Sequence, residues 1–130
     1  MADVVLDSDV VIWHLRGQTS VVEHVTRLAN EYRLGISAIT RTEVIAGMRL
    51  SEREVTLDFL DACELLPVDR AVADQAGGSI SLHRHQGLTI HVPDALIGAT
   101  ANHLAIPLHT CNAAHYPDVR EVFVVKLSGK

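Results

Sequence analysis

Short apolar runs alternate with longer amphipathic stretches along the chain, and no other feature of the sequence constrains the fold as strongly. Runs rich in β-branched residues favour strands, whereas apolar residues three and four apart favour helices. The predicted strands are residues 3–7, 35–38, 65–68, 107–110 and 122–125. Because they alternate with helices, we expect an α/β fold with a mainly parallel sheet of about four to five strands covered by helices.

Capping signals mark the beginnings of the intervening helices. Ser20, Thr40 and Ser51 each precede a glutamate by three residues, which predicts three capping boxes. Ser8 or Asp9 is predicted to cap the first helix. The predicted helices are 9–16, 21–32, Thr40 to about Met48, 52–62, Asp69 to about His85, and 93–104.

The size and composition of the chain suit one globular domain, residues 1–130. Its 48% hydrophobic residues are ample for a core, and no apolar run approaches the ~20 residues of a membrane span. The N-terminus does not resemble a signal peptide, and Cys63 and Cys111 are too far apart for a CxxC pair. We therefore expect a cytoplasmic protein with free thiols. We also expect the tail, residues 127–130, to fray.

The charge of the chain is acidic, with a net charge of −5 and an isoelectric point near 5.8. This argues against a protein that binds nucleic acid through bulk positive charge. It does not exclude an enzyme that binds phosphates through bound cations, because a metal ion reverses the local charge of a carboxylate cluster from negative to positive. The histidines form no HExxH motif, and His83 and His85 lie on different helix faces.

Four oxygen-bearing side chains are placed near the ends of predicted elements. Asp7 ends the first strand, Glu43 and Asp94 lie in the predicted first turns of two helices, and Asn112 follows the fourth strand. Since the carboxyl ends of parallel strands share one edge of a sheet, we expect these groups to converge. Hard oxygen ligands suit Mg²⁺ or Mn²⁺, and such ions support phosphodiester hydrolysis by activated water.

Each of these residues also has a structural explanation that the pattern leaves open. Glu43 suits the capping box of Thr40, and Asp94 complements a helix dipole. Asp9 is interpreted as an N-cap rather than a ligand, and Asn112 is a common turn residue. Asp7 is harder to explain this way, because a helix cap gains nothing from the three apolar residues before it.

Four segments resemble the PIN domain, and VapC-type toxins of bacterial toxin–antitoxin pairs in particular. They occur in the family's order and at similar spacing over nearly the whole chain, and the segment that begins Pro93-Asp94-Ala95 is the most specific. The segments are Val5-Leu6-Asp7-Ser8, Thr42-Glu43-Val44, Pro93-Asp94-Ala95-Leu96-Ile97-Gly98-Ala99-Thr100-Ala101 and Pro107-Leu108-His109-Thr110-Cys111-Asn112.

The resemblance implies a PIN-like three-layer α/β/α fold and a Mg²⁺- or Mn²⁺-dependent endoribonuclease that is held inactive by an antitoxin and forms homodimers. It implies an acidic site of Asp7, Glu43 and Asp94, with Asn112 where a fourth acid often stands, as a neutral metal ligand. Asp7 and Asp94 would bind the metal, while Glu43 would complete its ligands or orient the water. Ser8 and Thr110 would support the acids by hydrogen bonds.

Some residues have two possible roles, and two other functions are alternatives to the ribonuclease. Arg16, Arg41 and Arg84 are either phosphate contacts or solvated residues, and the apolar Trp13, Leu15 and Met48 either pack in the core or line a surface for an antitoxin or second subunit. A haloacid dehalogenase-like phosphatase would use Asp7 as nucleophile, but no lysine lies between Asp7 and Lys126. The other alternative is a catalytically silent interaction module of the same fold.

Overall fold

A computed structural model, which describes residues 1–128, contains a five-stranded sheet in the order β3-β2-β1-β4-β5. Every neighbouring pair of strands is parallel. The strands are β1 (Val4–Leu6), β2 (Leu34–Ser37), β3 (Glu64–Leu66), β4 (Leu108–Thr110) and β5 (Val122–Val124). The predicted α/β class with a mainly parallel sheet is therefore confirmed.

Within residues 1–128, six α-helices and two 3₁₀ turns accompany the strands. The helices are α1 (Ser8–Leu15), α2 (Thr19–Glu31), α3 (Ala38–Gly47), α4 (Arg53–Ala62), α5 (Arg70–His85) and α6 (Val92–Leu104). The 3₁₀ turns are Leu50–Glu52 and Ala113–His115. Among residues 1–128, none of the helices has the length and apolar character that crossing a bilayer requires.

The three central strands, β1, β2 and β4, are buried on both faces, which gives the three layers that the family resemblance implies. Val4 and Leu6 contribute to a core cluster with apolar residues of α1, α2, α3 and α4. Val5 and Leu108 belong to a second cluster, with Ile97 of α6. Helix α5 packs outside α6 through a third cluster, which consists of Val72, Ala76, Ala95 and Ala99.

The strand order changes direction between β1 and β4. The chain runs outward from β1 through β2 to β3, and then returns to the other side of β1 to form β4. The Asp7 amide donates to the His109 carbonyl at 2.9 Å, so β1 and β4 end side by side. Such a switch point leaves a crevice outside the carboxyl ends of the strands, where α/β proteins bind ligands.

Two predicted helix starts are wrong in a way that affects the site. Asp7 is the N-cap of α1, in place of Ser8 or Asp9. Ser37 caps α3 by accepting from the Ile39 amide at 3.0 Å, so Thr40 lies inside the helix and is buried. Both helices begin directly where a strand ends, because the last extended residue already has the backbone conformation that an N-cap needs.

The other two predicted capping boxes are also displaced. Ser20 lies inside α2, where its hydroxyl donates to the Lys126 carbonyl at 2.6 Å. Ser51 lies in the 3₁₀ turn, and Glu52 accepts from the Arg49 amide at 2.9 Å instead. Serine and glutamate three residues apart match the capping pattern at any place in a helix, so the pattern alone misplaces the start.

The predicted fraying of the tail is wrong for its first two residues. Leu127 packs against the core, and the Ser128 hydroxyl donates to the side chain of Gln18 at 2.6 Å. Residues 129–130, which the same prediction covered, lie outside the described residues. The hydrogen bond of Ser128 joins this segment to Gln18, which precedes the first residue of α2.

Candidate active site

Asp7 lies at the centre of the crevice between β1 and β4. Its side chain is buried, and each carboxylate oxygen accepts a hydrogen bond, one from the Ser8 amide and one from the Thr110 hydroxyl, both at 2.7 Å. Burial raises the pKa of Asp7, and the nearby charge of Asp94 raises it further. A buried carboxylate of this kind needs a positive partner to remain charged at low cost.

Asp94 reaches the same crevice from the first turn of α6. The Tyr116 hydroxyl donates to Asp94 at 3.4 Å and also lies near Asp7, whose charge raises the pKa of Tyr116. His115 Nδ1 approaches the other Asp94 oxygen at 3.5 Å. Burial and the three nearby aspartates raise the pKa of Tyr116, which keeps its phenol protonated as a hydrogen-bond donor.

Asp9 is a third acid of this group, and the sequence interpretation as an N-cap missed it. It is the second residue of α1, and its carboxylate accepts from the Cys111 amide at 3.2 Å. The Thr110 hydroxyl lies 3.4 Å from the same carboxylate. Burial and the charge of Asp7 raise the pKa of Asp9 to about 6. Asp9 therefore accepts a hydrogen bond from the residue that directly follows β4. The sequence does not reveal this contact, because it depends on the pairing of β1 with β4.

Glu43 is connected to the centre through one serine. It lies in the second turn of α3 rather than the predicted first turn, because α3 begins at Ala38. Its exposed carboxylate accepts from the Ser8 hydroxyl at 2.6 Å, and the same hydroxyl lies 3.0 Å from the Thr40 hydroxyl. Glu43 is thus placed beside the backbone of Asp7, at the solvent side of the crevice.

Asn112 lies at the rim of the crevice and is exposed. Its side-chain amide pairs with His115 Nε2 at 3.1 Å, and His115 in turn approaches Asp94. The pairing is satisfied when Asn112 donates and His115 carries its proton on Nδ1, facing Asp94. Asn112 is therefore joined to the acids through a histidine, a connection that no pattern in the sequence indicated.

The cationic residues that the sequence singled out are mostly engaged elsewhere. Arg41 forms an ion pair with Asp61 at 3.0 Å, and Arg16 stacks 5.8 Å above the ring of Trp13. Arg84 lies on the surface in the last turn of α5. None of these contacts involves Asp7 or Asp94. The mutual repulsion of the central acids is therefore not relieved by the arginines that the sequence proposed.

The donor set fits a divalent cation that is shared with a substrate. Among residues 1–128, no three His, Cys, Asp or Glu side chains lie together as a complete metal site. Mg²⁺ commonly binds through one or two carboxylates and takes its other ligands from water and phosphate oxygens. The carboxylates of the buried Asp7 and the half-buried Asp9, both with raised pKa values, suit that arrangement.

Comparison with known proteins identifies the family of this chain. The family model of the PIN domain matches residues 4–120, which include all the acids described above. The chain belongs to the PIN-domain family. The family resemblance that the sequence predicts is therefore confirmed.

Relatives of this PIN domain agree with the assignment. Ribonuclease VapC10 of Mycobacterium tuberculosis is 32% identical over 114 residues, which cover 88% of this chain and 86% of the relative. DNA-bound VapBC of Salmonella typhimurium superposes with a TM-score of 0.82 at 20% identity, over 95% of this chain and 98% of the other. FitAcB of Neisseria gonorrhoeae gives a TM-score of 0.74 at 25% identity, over 92% and 96%.

Proposed function

We propose that this PIN domain is a metal-dependent endoribonuclease and the toxin of a toxin–antitoxin pair. The observation that carries the proposal is the buried Asp7 at the switch point of the sheet, with Asp9 and Asp94 near enough for charge interactions with it. The 32% identity to a ribonuclease supports RNA as the substrate. The Asp7-nucleophile phosphatase loses its basis, since the chain belongs to the PIN family.

The roles of the side chains follow from their contacts. Asp7 and Asp94 would hold Mg²⁺ or Mn²⁺, and Asp9 would add negative charge beside Asp7. The bound ion supplies water activation and neutralises charge on the phosphate. Glu43, exposed at the solvent side, would orient the attacking water, and Asn112, which pairs with His115, would be a neutral metal ligand. No side chain acts as a nucleophile.

The proposed antitoxin covers the groove beside Glu43. This groove has a volume of about 280 Å³ and is formed by α1, α3 and the start of α4. Its apolar lining includes Leu15, Met48 and the largely exposed Val55. The complexes VapBC and FitAcB, to which the fold is similar, support such a partner. We also propose that the protein forms homodimers and that it acts in the cytoplasm, where it would meet RNA and the antitoxin.

Divalent metal is expected to stabilise the protein and to start RNA cleavage. At ten times its dissociation constant, Mn²⁺ or Mg²⁺ adds about 1.4 kcal/mol, or roughly 3–6 °C in melting temperature. The shift should be lost in Asp94→Asn, and excess EDTA should stop cleavage by the wild type. Differential scanning fluorimetry and a gel assay measure the two effects. Stabilisation without any cleavage would instead favour the silent interaction module.

The metal-induced shift is expected to be smaller at pH 5 than at pH 7.5. Because the pKa of Asp9 is raised to about 6, protonation stabilises the metal-free fold at low pH, and this contribution is lost as the pH rises through that value. Metal binding requires the charged carboxylates, so it has the opposite dependence. Measuring with and without metal at each pH cancels the contribution of the histidines that lie away from the metal site. An equal shift at both pH values would contradict this metal site.

Thr110→Val is expected to lower cleavage by about 10–100-fold, the usual effect of losing a hydrogen bond that orients a metal ligand. The change keeps the shape of a fully buried side chain but removes the donor to Asp7. Thr100→Val is the matched control, since Thr100 is equally buried but donates to Leu96 within its own helix. Wild-type cleavage rates in Thr110→Val would show that this hydrogen bond does not orient Asp7 for catalysis.

A further inference from the structure

Two neighbouring residues contact the carboxylate of Asp94. The Tyr116 hydroxyl donates to one Asp94 oxygen at 3.4 Å, and His115 Nδ1 lies 3.5 Å from the other. Both residues belong to one loop segment, residues 115–119, at the end of the 3₁₀ turn that follows β4. The direction in which the Asp94 carboxylate points into the crevice therefore depends on where this segment lies.

The backbone hydrogen bonds of the 115–119 segment are local. The Tyr116 amide donates to the Ala113 carbonyl at 3.0 Å, and the Val119 amide donates to the Tyr116 carbonyl at 3.3 Å. Packing holds part of the segment, since Tyr116 is buried and a Cβ atom on Gly98 would lie 3.0 Å from Val119. Elsewhere a cavity of about 260 Å³ separates the segment from α5 and α6. Contacts across this cavity are therefore needed to fix the position of the segment.

Asp118 makes such contacts to both helices. The Ser79 hydroxyl of α5 donates to its carboxylate, and His83 Nε2, also of α5, lies 2.8 and 2.9 Å from its two oxygens. On α6, the side chain of Asn102 donates to the Asp118 carbonyl at 2.8 Å and accepts from the Arg120 amide at 3.0 Å. Asp118 thus joins the 115–119 segment to α5 by its side chain and to α6 by its backbone.

The environment of the Asp118 carboxylate suits an internal anchor. The hydrogen bonds from Ser79 and His83 lower the pKa of Asp118, so the group is charged and its hydrogen bonds are of the stronger, charge-assisted kind. His83 is buried, which protects its side of the bond from competing water. Both carboxylate oxygens already have partners within the protein. Asp118 therefore holds the chain together here rather than binding an external ligand.

We propose that Asp118 is a positioning residue for the metal site. By anchoring the 115–119 segment to α5 and α6, it keeps the two side chains of that segment that contact Asp94 in place. Groups that orient a metal ligand in this way raise the affinity for the metal without touching it. The proposal rests on the metal-dependent function above and adds to it a residue that acts through Asp94. Without the anchor, the segment would move and the Asp94 carboxylate would lose its orientation.

Binding of Mn²⁺ in the absence of RNA tests this role. Asp118→Asn should weaken Mn²⁺ binding by about 10-fold, the lower end of the effect of losing a group that orients a metal ligand. His83→Leu should weaken binding by a similar factor, because it removes the donor but leaves the charge of Asp118 in place. His83→Gln, whose side-chain amide replaces the imidazole donor, should bind Mn²⁺ as the wild type does. Titrations followed by electron paramagnetic resonance measure the dissociation constants.

Asp3→Asn is the matched control for the loss of charge. The Asp3 carboxylate also accepts a hydrogen bond, from the Arg33 amide at 2.8 Å, but it lies just before β1, at the opposite edge of the sheet from the crevice. Its change should leave Mn²⁺ affinity unaltered. The double variant of Asp118→Asn and His83→Leu should bind no more weakly than either single variant, because both changes break the same bond. Losses that multiply to about 100-fold would overturn the anchor.

The two tyrosines of the chain give a readout that does not depend on metal. Tyr116 is buried in the segment, whereas Tyr32 is 46% exposed at the end of α2 and serves as the internal control. In EDTA, Asp118→Asn and His83→Leu should each shift the NMR signal of the Tyr116 ring and leave that of Tyr32 unchanged. Weaker Mn²⁺ binding without a shift of Tyr116 would mean that Asp118 acts through its charge alone, which would contradict the proposal.

Failure of this role and failure of the proposed function give different results. Wild-type protein that binds no Mn²⁺ would contradict both. Mn²⁺ binding that is equally tight in the wild type, Asp118→Asn and His83→Leu would contradict the role of Asp118 alone. If Asp118→Asn does not fold, Ser79→Ala removes one donor and keeps the carboxylate. It should then shift the Tyr116 signal and weaken Mn²⁺ binding by a smaller factor, and wild-type behaviour of Ser79→Ala in both measurements would contradict the anchor.

Discussion

Asp7→Asn is expected to abolish RNA cleavage, with a loss of more than about 100-fold. Removal of a group that only supports a metal ligand lowers activity by up to about 100-fold, so the loss of the ligand itself should cost more. The amide keeps the size of the carboxylate but cannot supply the negative charge that binds the cation. Because burial and Asp94 raise the pKa of Asp7, a neutral group is tolerated there in the metal-free protein. The variant should therefore melt at or above the wild-type temperature in EDTA.

Asp58→Asn is the control for this substitution. Asp58 is an exposed residue of α4, away from the acids of the crevice, so its change should alter neither cleavage nor melting temperature. Purified Asp7→Asn that cleaves RNA at the wild-type rate would remove Asp7 from the mechanism. Cleavage by the wild type in excess EDTA would remove the metal.

Leu108→Ala is expected to cost about 2–5 kcal/mol in the free energy of unfolding. Leu108 is fully buried in β4, in register with Val5 on one side and Val122 on the other. It also belongs to the core cluster under α6, so the lost side chain leaves a cavity in the middle of the fold. Urea denaturation followed by circular dichroism measures the change.

Leu65→Ala is the matched control, because it makes the same change in another strand. Leu65 lies in β3 at the edge of the sheet, and 52% of its side chain is exposed. The expected cost is below about 1 kcal/mol, since much of the side chain is already in water. Equal losses in the two variants would mean that the cluster under α6 is not the stabilising core that its burial indicates.

Two acids at the proposed site could be predicted because each follows a local rule. Asp7 directly follows an apolar strand, and Asp94 follows the proline that begins a helix. Glu43 was predicted as a site residue although its helix begins earlier than expected, and it reaches the site through Ser8. The element order was also predictable, since the period of apolar residues depends only on neighbours along the chain.

Asp9, His115 and Tyr116 could not be predicted as site residues. The position of Asp9 suits a helix cap, and only its bond to the Cys111 amide across the sheet distinguishes it from one. Tyr116 lies in a loop whose pattern indicates a turn, yet its hydroxyl donates to Asp94 and lies near Asp7. These contacts join residues that are distant in sequence, so no local pattern carries them.

The sequence by itself determined the alternation of strands and helices, the family, and the acids at the ends of β1 and the start of α6. The periodicity of apolar residues is a local property, because it depends only on residues that are near one another in the sequence. Only the tertiary structure decided that β4 returns beside β1 and that a cavity opens next to Asp94. Strand pairing and helix packing bring together segments that are separated along the chain, and their free energy depends on the whole core rather than on any one segment.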